Sequence, residues 1–363
     1  MFDRVFVIAE AGVNHDGVLA DALTMIDVAA DAGADAVKFQ TFTAGDLLTP
    51  RAMKAAYQAV NTGSDGAQME MIRALEVSRA DHLVLADRCR ARGIAFMSTA
   101  FDMDSLDFLA GLDMPAIKIG SGDLTWGPML LRAARMGRPL FISTGMATLD
   151  EVGQALAVVA FGLTRTGEPA GMAEMEAALA SPEGRAAVAE RVVLLHCTTQ
   201  YPAPVEVVNL RAMAAMAERF GVRVGYSDHT LGTTVALAAA ALGARVIEKH
   251  FTLSRSRPGP DHAASLEPGE LADMVRAVRA VEAALGAGIK VPAAVELPNR
   301  LVARRSLVAA RDLAAGEPLT GANVTAKRPA DGLSPMEWWS IRGRTTRRAY
   351  VRDEALDAEE AGS

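Results

Sequence analysis

Eight short runs of β-forming residues, each followed by residues of helical periodicity, constrain the fold of this chain more than any other feature of its sequence. Strand then helix, repeated eight times over about 285 residues, has the length and order of a (β/α)8 TIM barrel. A doubly wound open sheet is the alternative, but no GxGxxG segment follows the first run to favour it. The predicted strands are residues 5–12, 34–41, 94–101, 116–122, 139–145, 192–198, 222–228 and 244–252.

The intervening residues carry apolar stripes at helical spacing, which predict one face of each helix packed against the strands. Segment 162–190 lengthens one connection and predicts a helical insertion. Glycines follow several of the stripes, at positions where a helix ends in a left-handed residue: Gly33, Gly93, Gly137, Gly221 and Gly243. The predicted helical stretches are 19–30, 69–91, 128–137, 148–161, 209–220, 232–242 and 268–285.

The alternation of strands and helices stops near residue 286, which predicts a second domain. Residues 1–286 form the predicted barrel, and residues 287–300 contain the glycines and prolines of a linker. Residues 301–363 have short β-like runs separated by turn signals, and they predict a small β-rich domain.

Composition excludes several classes of protein. With 363 residues, 50% of them apolar and 22% charged, the chain is predicted to be globular rather than disordered. A net charge of −7 argues against nucleic acid as a partner, and the lack of any apolar run of about 18 residues argues against a membrane partner. Two cysteines are too few for a disulfide framework, and the N-terminus lacks signal-peptide features, so we expect a cytoplasmic protein.

The active site of a (β/α)8 barrel lies at the carboxyl ends of its strands, so the polar residues there are the candidate functional groups. Two lysines, two histidines and an acid inside an apolar strand are an unusual set for such positions. We therefore expect one site rather than scattered polar residues. The strand ends carry Glu10, Asn14, His15, Lys38, Gln40, Ser98, Thr99, Lys118, Ser121, Asp123, Ser143, Thr144, Thr198, Thr199, Tyr201, Ser227, Asp228, His229, Glu248, Lys249 and His250.

His229 and His250 end neighbouring strands, the seventh and the eighth. Neighbouring strand ends can bring two imidazoles onto one divalent ion, and two nitrogen ligands suit Mn, Fe, Co or Zn. The alternative is a pair of buried structural histidines with hydrogen-bond partners in the protein.

Lys38 and Lys118 lie in apolar runs, where an unpaired ammonium is costly, so each needs an anion. The anion is either a protein carboxylate or the phosphate or carboxylate of a ligand. Nearby hydroxyls favour a phosphate, although helix N-capping is the alternative role for these residues: Ser98, Thr99, Ser121, Ser143 and Thr144.

Two acids are further candidates. Glu10 lies inside the apolar run VIAEAG, where burial raises a carboxyl pKa and suits it to proton transfer; a structural ion pair is the alternative. Asp261, in the stiff segment RPGPDH, is predicted to lie over the mouth of the barrel, with a surface turn as the alternative.

Long segments in the right order now make a family recognisable: IAEAGVNHDG, AGADAVKFQT, STAFD, KIGSGD, STGMAT, LLHCTTQYPAP, VGYSDHT, EKHFT, RPGPDH and KRPADGLSPMEW. The chain resembles the sialic acid synthase family, the bacterial nonulosonate synthases, nearly end to end. The resemblance implies a barrel that condenses phosphoenolpyruvate with an N-acetylated mannosamine-type sugar. It also implies a C-terminal SAF domain, of the antifreeze-protein-like class, and a domain-swapped homodimer.

The resemblance also assigns roles to individual residues. The metal ligands are His229 and His250, with Mn²⁺ as the expected ion and Co²⁺ or Mg²⁺ as alternatives. The partner subunit's C-terminal domain is expected to lend Arg328 to the N-acetyl group of the sugar. The phosphoenolpyruvate contacts are Lys38, Thr99, Lys118, Ser121, Ser143 and Ser227. The sugar-side positions are Glu10, Asp123 and Asp261, with Gln40, Thr199 and Tyr201 nearby. Of these, Glu10 and Asp123 are the expected catalytic acids, which move protons and orient the sugar.

Some positions depart from the family pattern. Asp123 stands where many members have Glu, and Thr199 replaces the Asn typical of the neuraminate branch. The segments CTTQYPAP, GSGDLT and GLSPMEW are more similar to the legionaminate branch, which implies 2,4-diacetamido-2,4,6-trideoxymannose as the acceptor and leaves N-acetylmannosamine as the alternative. More distant alternatives are a metal-dependent barrel lyase or aldolase and a non-catalytic sugar-binding protein.

Overall fold

The structure, a computed structural model, describes residues 3–62 and 68–360 and divides the chain into two compact units, residues 1–286 and 287–363. Residues 1–2, 63–67 and 361–363, which belong to the two predicted domains, lie outside the described residues.

The first unit contains a closed barrel of eight parallel strands, as the sequence predicts. Each strand pairs with its neighbour in chain order, and β8 closes the barrel on β1. The strands are β1 Phe6–Gly12, β2 Ala36–Thr41, β3 Ala95–Ala100, β4 Ile117–Ile119, β5 Leu140–Ser143, β6 Val192–Cys197, β7 Arg223–Asp228 and β8 Val246–His250.

Helices fill the connections between the strands. Gly93 and Gly221 follow the helices Arg79–Arg92 and Arg211–Phe220 in the left-handed conformation, with φ of 68° and 66°, as predicted for C-terminal glycines. The helices of this unit are α1 Leu19–Asp31, α2 Ala44–Leu47, α3 Ala56–Thr62, α4 Gln68–Ala74, α5 Arg79–Arg92, α6 Met103–Ala110, α7 Gly127–Arg135, α8 Leu149–Thr164, α9 Met172–Ala180, α10 Pro182–Arg191, α11 Arg211–Phe220, α12 Thr234–Ala241 and α13 Pro268–Leu285.

The helices between β2 and β4 differ from the prediction, and two of them, α2 and α3, were not predicted. The single helix predicted over 69–91 is two, because the Ser78 side chain accepts a hydrogen bond from the Asp81 N–H and caps a new helix, α5. Helix α6, capped by Asp102, was not among the predicted stripes, because eight residues show too little periodicity to identify it.

Apolar side chains form two layers in the barrel unit. Ile8, Met97, Phe141 and Leu195 belong to a small buried cluster contributed by the strands alone. A larger core, which includes Met25, Leu156 and Phe251, lies between strands and helices. The strands therefore bury both faces, which is why charged residues in them must pair with one another or with a ligand.

Strand register places the polar strand ends side by side. Glu10 of β1 lies opposite Lys38 of β2 and His250 of β8. Thr99 of β3 lies opposite Lys118 of β4. Residues far apart in sequence thus reach one end of the barrel.

The predicted insertion comprises α9 and α10, which lie between the end of α8 and the start of β6. Both helices of the insertion pack against α8. Neither contributes a residue to the lining of the cavity described below.

The second unit contains the short helices α14 Leu297–Ala303 and α15 Trp338–Ile341 and an antiparallel pair, β9 Ser306–Ala309 and β10 Val324–Lys327. Further isolated bridges, such as Leu313 with Tyr350, extend its β character, as predicted. In the described part of the chain, no helix has both the length and the apolar content needed to cross a bilayer.

Candidate active site

A cavity of about 480 Å³ lies at the carboxyl ends of the barrel strands. Seven of the polar strand ends do not line it: Asn14, His15, Ser98, Thr144, Thr198, Asp228 and Lys249. The cavity does bring together all but one of the residues to which the resemblance assigned a role. The exception, Arg328, belongs to the second unit, where it is exposed. The nominated residues that line the cavity are Glu10, Lys38, Gln40, Thr99, Lys118, Ser121, Asp123, Ser143, Thr199, Tyr201, Ser227, His229, His250 and Asp261.

Two lysines and two glutamates form a buried charge cluster in this cavity. Lys38 Nζ lies 2.7 Å from Glu10 Oε2 and 3.7 Å from Glu248 Oε2, and Lys118 Nζ lies 3.5 Å from Glu248 Oε1. Lys38 also donates to Thr99 Oγ1 at 2.8 Å. Protein carboxylates therefore supply the anions that both lysines require, while both ammonium groups still line the cavity.

The pKa values of the two glutamates in the cluster are shifted in opposite directions. Burial raises the pKa of Glu10 to about 7, although the nearby Lys38 acts to lower it. For Glu248 the burial penalty is outweighed by Lys118 and Lys38, and its pKa falls to about 2. At neutral pH Glu248 is therefore ionised, whereas Glu10 exchanges its proton readily.

Glu248 is one of the polar strand ends to which the sequence assigns no role. A period of two along β8 places it on the same face as His250, and this alternation is the signal that could have identified it. Its Oε1 accepts a hydrogen bond from Ser227 at 2.8 Å. Glu248 is thus the residue that links the two lysines.

The two histidine rings face each other, with centroids 5.5 Å apart and planes inclined by 62°. Tyr201 packs against both rings, at 4.1 Å from His229 and 5.6 Å from His250. The Nδ1 of His229 donates to the Thr198 carbonyl at 2.6 Å, which leaves its Nε2 as an acceptor. Burial lowers the pKa of His229 to about 4, and burial together with His229 lowers that of His250. Both rings are therefore neutral at pH 7, the form that binds metals.

This donor set fits a divalent ion held by two protein ligands. Among residues 3–62 and 68–360, the buried Nδ1 of His250 has no hydrogen-bond partner, and it lies 3.9 Å from Asp261 Oδ2. No group of three or more His, Cys, Asp or Glu side chains in that part of the chain is arranged to hold a metal. Water or substrate oxygens would have to complete the coordination shell.

A second polar group surrounds Gly145. Its N–H donates to Ser121 Oγ at 3.0 Å, and a Cβ at this position would lie only 2.3 Å from Thr199 Oγ1. Across the described residues, the buried atoms Thr199 Oγ1 and Asp123 Oδ2 lack hydrogen-bond partners. Burial raises the pKa of Asp123 to about 6, against the lowering effect of Lys118. Polar atoms left unpaired in this way indicate a polar ligand.

Helix capping, the alternative role for the five strand-end hydroxyls, is wrong. Within the described chain, the side-chain caps are residues such as Ser78, Asp102 and Thr148. Thr99 instead bonds Lys38, and Thr144 donates to the Leu195 carbonyl at 3.1 Å.

One side of the cavity is apolar and was not foreseen. Much of it comes from the connection between β2 and β3, which is long because it contains α2, α3 and α4. Gln58 and Gln68 of the same connection also line the cavity and bond each other at 3.2 Å. The apolar lining residues include Val13, Phe42, Leu47, Leu48, Ile72, Phe101, Met146 and Pro260.

Comparison with known proteins gives two family matches that together span most of the chain. The NeuB family model matches residues 25–290, and the SAF domain model matches residues 304–360.

Individual proteins are also similar over most of the chain. An N,N'-diacetyllegionaminic acid synthase of Campylobacter jejuni is 42% identical over 353 residues, which cover 97% of this chain and 99% of that protein. The synthase of the same name from Legionella pneumophila is 43% identical over 338 residues, covering 93% and 89%. Among solved structures, the N-acetylneuraminic acid synthetase of Leptospira borgpetersenii superposes with a TM-score of 0.66 at 31% identity, covering 82% and 90%.

Proposed function

Because this chain belongs to the NeuB family, we propose that it condenses phosphoenolpyruvate with 2,4-diacetamido-2,4,6-trideoxymannose and water, forming N,N'-diacetyllegionaminate and phosphate. The chain is an enzyme of the sialic acid synthase type. The observation that carries the proposal is the cavity itself, where two buried lysines and two neutral histidines meet. Beside them are Thr199 Oγ1 and Asp123 Oδ2, which lack hydrogen-bond partners among the described residues.

Phosphoenolpyruvate is a small polyanion, and the cavity offers matching cations and hydroxyls. Lys38 and Lys118 supply the positive charge, and the hydroxyls of Thr99, Ser121 and Ser143 supply directed hydrogen bonds. Ser227, which now donates to Glu248, is the remaining hydroxyl of this set. The anion would compete with Glu10 and Glu248 for the ammonium groups.

The sugar enters as the open-chain aldehyde. C3 of phosphoenolpyruvate attacks the aldehyde carbon and forms the new C–C bond, water adds to C2, and phosphate leaves by cleavage of the C2–O bond. The aldehyde oxygen gains a proton. The attacking water loses one proton when it adds to C2 and its second when the C2 hydroxyl becomes the keto group, and the departing phosphate takes up that second proton. Glu10, whose pKa is about 7, is the group best matched to move these protons at neutral pH.

Other acids position the acceptor. Asp123 and Asp261 line the cavity, together with the amide of Gln40 and the Tyr201 ring. Thr199 also lines the cavity, and its hydroxyl has no hydrogen-bond partner among the described residues. These side chains provide the hydrogen bonds that a sugar with two acetamido groups requires.

We assign the metal site to His229 and His250, with Mn²⁺ as the expected ion and Co²⁺ or Mg²⁺ as alternatives. A bound divalent ion would act as a Lewis acid that polarises the aldehyde. The Thr198 carbonyl and the Tyr201 ring hold the two imidazoles in place for this role.

We also propose a domain-swapped homodimer in which Arg328 contacts the N-acetyl group of the sugar bound to the other subunit. The exposed Arg328 side chain is compatible with this role. Measurement of size in solution and of the activity of Arg328→Ala tests it: a fully active monomeric variant would contradict it. We place the reaction in the cytoplasm, which agrees with the two free thiols of Cys89 and Cys197.

The deciding experiment supplies metal-reconstituted protein and phosphoenolpyruvate with either of two sugars. One is 2,4-diacetamido-2,4,6-trideoxymannose, and the other is N-acetylmannosamine, the acceptor of the neuraminate branch. Phosphate release and the mass of the nine-carbon product are followed. Faster turnover of the first sugar supports the proposal, and the reverse order makes the enzyme a neuraminate synthase. Phosphate release from neither sugar would favour the lyase or the sugar-binding alternative.

A further inference from the structure

A fully buried ion pair lies directly beside the two histidines but outside the cavity. Lys249 Nζ donates to Asp228 Oδ2 at 2.8 Å, and both side chains have 0% exposure. Asp228 and Lys249 lie opposite each other in the register of β7 and β8. Each immediately precedes one of the histidines in the sequence.

Thr230 completes this cluster. Asp228 Oδ1 accepts from the Thr230 backbone N–H at 2.9 Å and from its hydroxyl at 2.8 Å. Lys249 also donates to the Thr230 carbonyl oxygen. Residues 228 and 230 are thus both tied to Lys249, and His229 lies between them. We call Asp228, Thr230 and Lys249 the clasp.

The clasp faces away from the proposed chemistry. The lining of the cavity includes four neighbours of the clasp: Ser227, His229, Glu248 and His250. The three clasp residues, all of which the structure describes, are not part of that lining. Alternation along β7 and β8 explains this, because Asp228 and Lys249 project from the opposite face of the strands. The clasp therefore cannot contact a substrate in the cavity.

Stability alone gives no reason for such a pair. Two fully desolvated charges recover little net free energy from each other, and apolar residues of similar volume commonly replace buried pairs without loss of stability. A buried pair does hold two backbone segments at one specific offset. Here those segments carry the two imidazoles, whose centroids are 5.5 Å apart.

We propose that the clasp is a positioning device that sets the separation of His229 and His250 and thereby the affinity of the site for a divalent ion. The inference rests on the metal-binding role assigned above to these histidines. Outer-shell residues that hydrogen-bond to metal ligands change metal affinity about 10- to 100-fold when they are replaced. The clasp acts on the two histidines through the backbone of the residues next to them.

Co²⁺ serves as the probe, because its visible absorption reports both binding and the geometry of the ligands. The main variant is Asp228→Asn with Lys249→Met, which removes both charges together and retains an acceptor for the Thr230 N–H. We expect its Co²⁺ dissociation constant to rise at least tenfold, with a changed visible spectrum. Thr230→Val keeps both charges. It is expected to raise the Co²⁺ dissociation constant and to change the visible spectrum in the same way as the double variant, but by less.

Arg279→Met is the matched control. Arg279 donates to Asp35 Oδ2 at 2.6 Å, at the amino ends of β1 and β2, where Asp35 also accepts from the Val7 N–H. This variant also loses an ion pair that is largely buried. It is expected to lose thermal stability while keeping the wild-type Co²⁺ affinity and spectrum.

The outcomes separate the proposals. Wild-type affinity and spectrum in both clasp variants would overturn the positioning role, and so would an equal loss of affinity in Arg279→Met. If the double variant fails to fold, Thr230→Val decides. A wild-type protein that binds no Co²⁺ would overturn the metal site proposed above together with this inference.

Discussion

Replacement of Asp261 by asparagine is expected to stabilise the barrel at neutral pH, because the buried carboxylate costs folding free energy there. Burial raises the pKa of Asp261 from 3.8 to about 6, against the smaller lowering effect of His262. The folded chain therefore binds this proton more tightly than the unfolded chain does. Stability is lost as the pH rises from about 4 to about 6, and the loss is complete above pH 6.

The size of the effect follows from the two pKa values. A difference of about two units, at about 1.4 kcal/mol each, corresponds to about 3 kcal/mol at pH 7 and above. Asparagine has the same shape and carries no charge, so it avoids this penalty. For a domain of this size, about 2 °C per kcal/mol gives a rise in Tm of roughly 6 °C.

Thermal unfolding of wild type and Asp261→Asn at pH 4 and pH 8 provides the measurement, with a chelator present so that no divalent ion neutralises the carboxylate. Near pH 4 the two proteins are expected to differ by less than about 1 kcal/mol. Asp113→Asn, at an exposed loop position, is the control for removal of a surface charge. A gain in Tm of the same size at both pH values, or no gain at pH 8, would refute the reasoning.

Three further predictions concern catalysis. His229→Ala is expected to lower kcat/KM for phosphate release at least 100-fold and to abolish its dependence on added Mn²⁺, because it removes one of the two proposed metal ligands. Unchanged metal dependence would contradict this. Glu10→Gln is expected to remove an ionisation near pH 7 from the pH profile of kcat/KM, since the pKa of Glu10 is about 7. An unaltered profile would mean that this ionisation belongs to another residue. Gly145→Ala places a Cβ 2.3 Å from Thr199 Oγ1 and is expected to lower kcat/KM at least tenfold. Gly269→Ala, at a position outside the cavity lining with no atom within 4 Å, is expected to stay within twofold. Equal effects of the two alanines would remove the steric explanation.

The fold could be predicted because alternation of strand and helix is a local signal. The carboxyl ends of the strands followed from it, and so did the meeting of Glu10, Lys38 and His250 in one cavity. Short elements were harder, since α6 has too few turns to show a period and α5 begins at a cap inside an apolar stretch.

Partners within the site could not be predicted from the sequence, because they depend on distances across strands. Lys38 and Lys118 were known to need an anion, but only the structure shows that Glu248 lies within 4 Å of both. The contribution of Gln58 and the apolar lining was equally hidden, because these residues lie in a connection without a recognisable motif. Asp228 and Lys249 likewise look like ordinary polar strand ends until their register is known.

The buried charge cluster also links substrate binding to acid-base equilibrium in the solvent. Lys38 and Lys118 are balanced by Glu10 and Glu248, so an arriving polyanion adds negative charge to a desolvated space that is already close to neutral. Such charge raises the pKa of neighbouring carboxyl groups. Because the pKa of Glu10 is already about 7, Glu10 is the first of them to take up a proton at neutral pH. Binding of the anion and binding of a proton then reinforce each other by the same free energy. Glu10, which pairs with Lys38 when the cavity is empty, thus takes up a proton when the anion binds.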